Sequence, residues 1–323
     1  MRIPEMEHAM SASRTLLQTA LVAALALTLV PARASAQTPS PIIGRWDLTV
    51  KDLGFPACSW LEVQLSGNRT LVGRFVGWGG SARPISKVEF ADNMVRFAIP
   101  PQWEQGDGDF RVEGTLGNDA LSGTIVDPAG KQFSWTGKRA PALRRTTPPQ
   151  WGTPITLFDG KDLSRWQLPE NNQWSAVAGV LTNAKAGGNL VTKESFTDFK
   201  LHIEFKYPKD GNSGVYLRGR YEVQVEDTPP DRVRDEGLAG IYGFLAPTED
   251  AAKGPGQWQS YDITLIGRRV TVALNGITVI NGQDIPGITG GALTCDEAAP
   301  GPLMLQGDHG PIEYRNIVLT PAK

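Results

Sequence analysis

A chain of 323 residues with 32 basic and 34 acidic side chains carries a formal charge of −2. It lacks the basic surplus or concentrated patch that binding a phosphate backbone requires, which excludes a nucleic-acid binder. Its 36 Gly, 24 Pro and 9 Trp favour a turn-rich β protein over a helical one.

The N-terminus reads as an export signal over residues 1–36. Arg14 precedes the apolar run "LLQTALVAALALTLV", and Ala34-Ser35-Ala36 forms a small-residue cleavage motif before Gln37. Pro31 follows the run too soon for a membrane span. Glu5 and Glu7 are foreign to a signal, so Met10 is read as the true start. The expected location is periplasmic or secreted, with no membrane association after cleavage. Cys58 and Cys295 stand alone. Export permits a disulfide between them, although their placement in different predicted domains favours two unpaired thiols. Two cysteines do not make a cysteine-based zinc site.

From Pro41 to Pro141 short alternating runs such as "IGRWDLTV", "SWLEVQL" and "FSWTGKRAP" follow one another, each bounded by Gly, Asn, Asp or Pro. "LGNDALSGTI" is a hairpin turning at Asn118-Asp119. This segment is expected to be a small antiparallel, barrel-like β domain. Five Trp lie in it (Trp46, Trp60, Trp78, Trp103, Trp135), and they read as core rather than as sugar platforms. The basic, Pro-rich residues 142–153 read as a semi-rigid linker. From residue 154 to 323 the chain is again a run of strands, with Asn275-Gly276 as a hairpin turn. Strands without crossover helices argue for two packed antiparallel sheets.

Within that second part, "GNSGVYLRGRYEVQVED" reads as a hairpin with a three-residue loop, Gly219 to Tyr221. That register pairs Arg218 with Glu222 and Tyr216 with Gln224. It gathers Tyr216, Arg218, Glu222, Gln224 and Glu226 on one face and Val215, Leu217, Val223 and Val225 on the other. Periodicity alone favours a solvated polar face; the sharper reading is a sugar-binding concave face.

The ordered set "LFDGKDLSRW", "WSAVAGVL", "DFKLHIEFKYPKDGNSGVYLR", "YEVQVED", "GIYG", "GQWQSYDITLIG", "VTVALNG" and "LQGDHGPIEYRNI" resembles the 3-keto-disaccharide hydrolase family over residues 154–319. The resemblance implies a concanavalin A-like jelly-roll β-sandwich and an all-β chain overall. It also implies a small carbohydrate substrate whose glucosyl C3 hydroxyl is already a ketone. Such a ketone acidifies the C2 proton, so a base can remove it and the C1 substituent leaves by elimination. Water then adds back. This route needs a base, an enolate stabiliser and a leaving-group acid rather than the paired carboxylates of ordinary glycosidases.

On that resemblance His309, in the loop "QGDHG", is the base, with Asp308 beside it as orienter or turn residue. Arg218 is the enolate stabiliser. Glu222 is an acid/base candidate and Glu204 a second carboxylate, the latter because "IEF" should lie beside "NSGVYLR". Tyr216, Gln224, Asp227, Tyr242 and Asn212 are expected substrate contacts, with Asn212 and Ser213 also shaping the Gly211–Gly214 turn. His309, Asp308, Glu204, Glu222 and Asp227 could together bind a divalent metal, although no metal-loop spacing such as an EF-hand is present. No P-loop, dinucleotide fingerprint or nucleophile elbow occurs. The alternatives are a non-catalytic lectin-like protein and an adhesion protein, the last calling for a large exposed aromatic patch on the first domain.

Overall fold

The computed structural model describes residues 39–53, 57–229, 232 and 234–323. The expected export signal and Met10 lie outside the described residues. Ser40–Lys323 form one compact unit.

The first eight strands are β1 (Gly44–Val50), β2 (Ala57–Ser66), β3 (Thr70–Val76), β4 (Arg83–Ala91), β5 (Met94–Ile99), β6 (Phe110–Gly117), β7 (Ala120–Val126) and β8 (Gln132–Arg139). They pair in sequence order, and β1 closes on β8 to make a barrel. Inward residues alternate along each strand. Trp46, Leu48, Phe75, Val95, Val112, Ile125 and Trp135 fill the interior, as a small barrel requires. Asn118 and Asp119, at φ 52° and 57°, form the two-residue turn between β6 and β7.

The remaining strands are β9 (Ile155–Phe158), β10 (Trp166–Gln167), β11 (Trp174–Val177), β12 (Val180–Asn183), β13 (Leu190–Thr192), β14 (Phe199–Lys206), β15 (Asn212–Leu217), β16 (Tyr221–Glu226), β17 (Gln259–Ile266), β18 (Arg269–Leu274), β19 (Ile277–Asp284), β20 (Met304–Leu305) and β21 (Ile312–Pro321). One sheet runs β10-β13-β20-β15-β16. The other runs β11-β12-β21-β14-β17-β18-β19, with β9 added beside β21. The described chain is therefore all-β, a barrel followed by a jelly-roll sandwich. Leu201, Ile203 and Phe205 from one sheet meet Val215, Leu217 and Val223 from the other in a shared core.

Barrel and sandwich are fused. Cys58, Trp60 and Val76 of the barrel belong to the sandwich's hydrophobic cluster. The Trp60 ring meets Phe244 edge-on with centroids 5.2 Å apart. Cys58 and Cys295 form a disulfide with Cα atoms 5.0 Å apart. The expectation of two unpaired thiols is thus corrected, because the sandwich loop 285–301 folds back against β2. Residues 142–153 are extended but pinned. Arg145 bonds Asp198 at 3.1 Å, and the amide of Gly152 bonds Pro321.

Candidate functional site

The β15–β16 hairpin has a three-residue loop, but the loop is Arg218-Gly219-Arg220, one residue earlier than expected. Arg218 and Gly219 both take positive φ, 55° and 62°. Tyr216 therefore pairs with Glu222, Gly214 with Gln224 and Asn212 with Glu226. The shift leaves the parity intact, so the polar face survives with Asn212, Tyr216, Glu222, Gln224 and Glu226 on it. That face is not solvated, since Tyr216, Glu222, Gln224 and Glu226 are all buried. Residues 239–242 run along the free edge of β16, with Gln224 N–H bonded to Gly240 O and Tyr242 N–H to Glu222 O. This edge segment carries Tyr242 over the face.

A cleft of about 600 Å³ lies on this face, lined by Asn212, Tyr216, Glu222, Gln224, Tyr242, Gln306, Asp308, His309 and Arg232, and by Trp78, Gly79, Gly80 and Trp103 from the barrel. His309 arrives on the loop after β20. That loop is fixed at Gly307, whose carbonyl accepts from Asn183 Nδ2 at 2.8 Å and whose amide donates to Asn189. His309 Nδ1 is 3.6 Å from Asp308 Oδ1, and both side chains are open to the cleft.

Gly214 makes room for the carboxyl at the centre. A Cβ there would lie 2.3 Å from Glu222 Oε1. Burial pushes the Glu222 carboxyl up to about 8, with the negative charges of Asp308 and Glu226 adding to it and the Tyr216 hydrogen bond opposing. Tyr216 Oη lies 2.9 Å from both Glu222 Oε2 and the Gly290 carbonyl. A hydroxyl has one proton for two acceptors. If Glu222 is protonated and donates to Tyr216, which donates to Gly290, the chain is complete. Arg232 bonds Glu226 at 3.1 Å, yet burial still raises the Glu226 carboxyl. Asn212 Oδ1 and Gln306 Oε1 are buried without a hydrogen-bond partner, in two residues that line the cleft.

His309, Asp308, Glu222, Tyr216, Gln224, Tyr242 and Asn212 thus converge, and three expected site residues do not. Arg218 turns away at the hairpin tip, where its guanidinium donates to the carbonyls of Glu297 and Ala299. Glu204 lies on β14 in the opposite sheet, on its outer face, bonded to Arg315 at 2.6 Å and Asn316 at 2.6 Å. The chain crosses from one sheet to the other between β14 and β15, so "IEF" is not a neighbour of "NSGVYLR". Asp227 accepts from the Asp210 amide at 2.9 Å and faces a neighbouring cleft. Ser213 points inward to Gln306 O and Tyr314, while the tight turn is at Pro208–Gly211.

The expected five-residue metal set is divided accordingly. Among the described residues no group of three or more His, Cys, Asp or Glu side chains is placed to hold an ion. The reading of all five barrel Trp as core is corrected at Trp103, which is 59% exposed and lines the cleft. Trp46, Trp60 and Trp135 are buried, and Trp78 packs edge-on against Phe110 and Phe133 of the barrel core while also lining the cleft. In the described part of the barrel the other large exposed apolar side chain is Leu65, which leaves no broad aromatic patch for the adhesion reading.

Residues 153–320 match the family model described as a 3-keto-alpha-glucoside-1,2-lyase-like domain. Together the sandwich fold, the polar cleft and this match define a domain of the 3-keto-alpha-glucoside-1,2-lyase-like class. The match spans just over half of the 323 residues, and the chain belongs to this family. A 3-keto-disaccharide hydrolase of Bacteroides thetaiotaomicron is 23% identical over 167 residues, covering 39% of this chain and 57% of that protein. The chain thus spans little more than half the length of that relative. Two solved structures of inferred glycosyl hydrolases from Parabacteroides distasonis are also similar. One is 33% identical, with a TM-score of 0.47 over 55% of this chain and 92% of its own. The other is 29% identical, with a TM-score of 0.43 over 52% and 98%.

Proposed function

We propose that this protein is an exported enzyme that cleaves the glycosidic bond of 3-keto-glycosides or 3-keto-disaccharides by 1,2-elimination followed by hydration. The observation that carries the reading is the meeting, in one cleft, of an accessible imidazole and a buried carboxyl whose proton is held to about pH 8. Elimination needs that pairing of an open base with a protonated acid. His309 takes the C2 proton of the keto-sugar, and the electron pair delocalises onto the C3 oxygen. The C1–O bond then breaks, and the departing oxygen takes a proton from Glu222. Water adds across the C1–C2 double bond, and the sum is hydrolysis. Tyr216 positions the Glu222 proton, while Asn212, Gln224 and Gln306 offer polar atoms to the sugar hydroxyls. Export belongs to the same proposal, and the Cys58–Cys295 disulfide supports it because disulfides persist in oxidising compartments.

Incubation with 3-keto-trehalose and analysis for free glucose and keto-sugar tests the reading. A lectin-like protein would bind the sugar and release nothing. His309→Ala should lower kcat by roughly 10²–10⁴-fold, the usual contribution of a general base, while circular dichroism shows an unchanged fold. Full activity in that variant would remove His309 from the mechanism.

A further inference from the structure

The family match begins at residue 153, yet part of the cleft wall comes from the barrel before it. We infer that the barrel builds a second subsite in this cleft, in which Trp103 is the stacking platform for a ring-shaped leaving group next to the keto-sugar. The inference rests on the proposed cleavage of 3-keto-glycosides for the name of that ring and on the barrel's own geometry for its place.

Trp103 is 59% exposed and lines the cleft from the barrel side. Its loop is nevertheless held firmly. Arg83, nearly buried, bonds Glu104 at 3.1 Å and the Pro100 carbonyl at 2.8 Å. Glu104 Oε2 in turn accepts the amides of Gln102 at 2.7 Å and Trp103 at 3.2 Å. Gln102 reaches across to the sandwich, its Nε2 donating to Glu236 at 3.2 Å. The Arg232 guanidinium lies 5.9 Å from the Trp103 ring centroid. These bonds fix the loop backbone that carries the indole, so little of the loop has to be ordered when a ligand arrives.

The wall beside it is a seam of glycines. A Cβ on Gly290 would lie 2.4 Å from the Gly80 carbonyl oxygen, and one on Gly291 would lie 2.8 Å from Tyr216 Oη. The Gly291 amide bonds the Trp78 carbonyl at 3.2 Å. Barrel backbone therefore sits directly against the loop whose Gly290 carbonyl accepts from Tyr216, and so within one residue of the Glu222 proton relay. The leaving group must emerge on the acid's side of the sugar, where Trp78 and Trp103 form the rim. An indole face recognises a flat ring with an apolar face, which is either an aryl group or the C–H face of a second pyranose.

The test compares kcat/KM for the 3-keto derivatives of phenyl glucoside, trehalose and methyl glucoside, using the full chain and its Trp103→Ala and Trp103→Phe variants. The ratio of the phenyl or trehalose derivative to the methyl derivative should fall 10–100-fold in Trp103→Ala, mainly through KM, and recover substantially in Trp103→Phe. The compound with the larger loss identifies the ring as aryl or sugar. An equal loss on all three compounds, or no loss on any, overturns the subsite. Calorimetric binding of the unoxidised phenyl glucoside, trehalose and methyl glucoside runs alongside. If the wild type turns over none of the keto compounds, the proposed reaction fails. The subsite then stands only if phenyl glucoside or trehalose binds tighter than methyl glucoside and Trp103→Ala abolishes the difference, and it falls if binding is equal.

Discussion

Glu222 is a carboxyl group placed where ionisation is hard: buried, near the charges of Asp308 and Glu226, and held at about 8. Its folded value lies above its unfolded one, so the native state keeps a proton that the unfolded chain gives up. Stability is then greatest below the ordinary carboxylate range and falls as pH rises toward 8. Glu222→Gln keeps the donor toward Tyr216 and removes the titration. The variant should match the wild type in thermal unfolding at pH 5 and exceed it at pH 8, while kcat collapses because an amide cannot donate a proton to the leaving oxygen. A wild-type kcat that stayed flat through pH 8 would deny Glu222 the role of acid. The same residue shows what the sequence could not convey. Alternation placed Glu222 on a polar face with Tyr216 and Gln224, but burial of that face depends on the edge segment 239–242 and on the barrel, both remote in the chain.

At the scale of elements, the hairpin explains which site residues were legible. Pairing Arg218 with Glu222 or Leu217 with Tyr221 leaves the same side chains sharing a face, because the two registers differ by an even shift. The face was therefore readable and the tip was not. Arg218 left the face because a residue at φ 55° in a turn no longer obeys strand alternation. Glu204 was misplaced for a different reason: neighbours in sequence need not share a sheet in a sandwich, and β14 pairs with β17 and β21 instead. His309 and Asp308 were legible only through the ordered motifs, since loop residues carry no period. Gly214 gives the element its own test. Gly214→Ala drives a methyl to within 2.3 Å of Glu222 Oε1 in a buried place. The expected cost is about 1–3 kcal/mol from overpacking, together with a loss of activity as the acid is displaced. Chemical denaturation and kcat on one preparation check both. Wild-type stability and activity in this variant would mean that Glu222 is not held as described.

At the scale of the molecule, the seam between barrel and sandwich determines whether the cleft keeps its wall. Asp47 of β1 and Glu297 of the sandwich loop are both buried there. Glu297 is bonded by Arg268 and by Tyr221 at 2.8 Å, whereas neither Asp47 oxygen has a donor. Burial first, and then the Glu297 carboxylate, push Asp47 up to about 9. The seam thus closes with a proton on Asp47, a state that costs stability as pH climbs from the ordinary carboxylate range toward 9. The disulfide acts differently. It joins residues 237 apart in the sequence and so restricts the unfolded chain at every pH. Replacing both cysteines by serine should cost about 2–4 kcal/mol and lower Tm by roughly 5–15 °C, with a similar loss at pH 6 and pH 9. Asp47→Asn should leave Tm near that of the wild type at pH 4 and raise it progressively toward pH 9. The two variants separate a covalent clasp from a buried, protonated carboxyl in the same seam. If Asp47→Asn were neutral at every pH, the protonation of Asp47 would not contribute to the pH dependence of the seam.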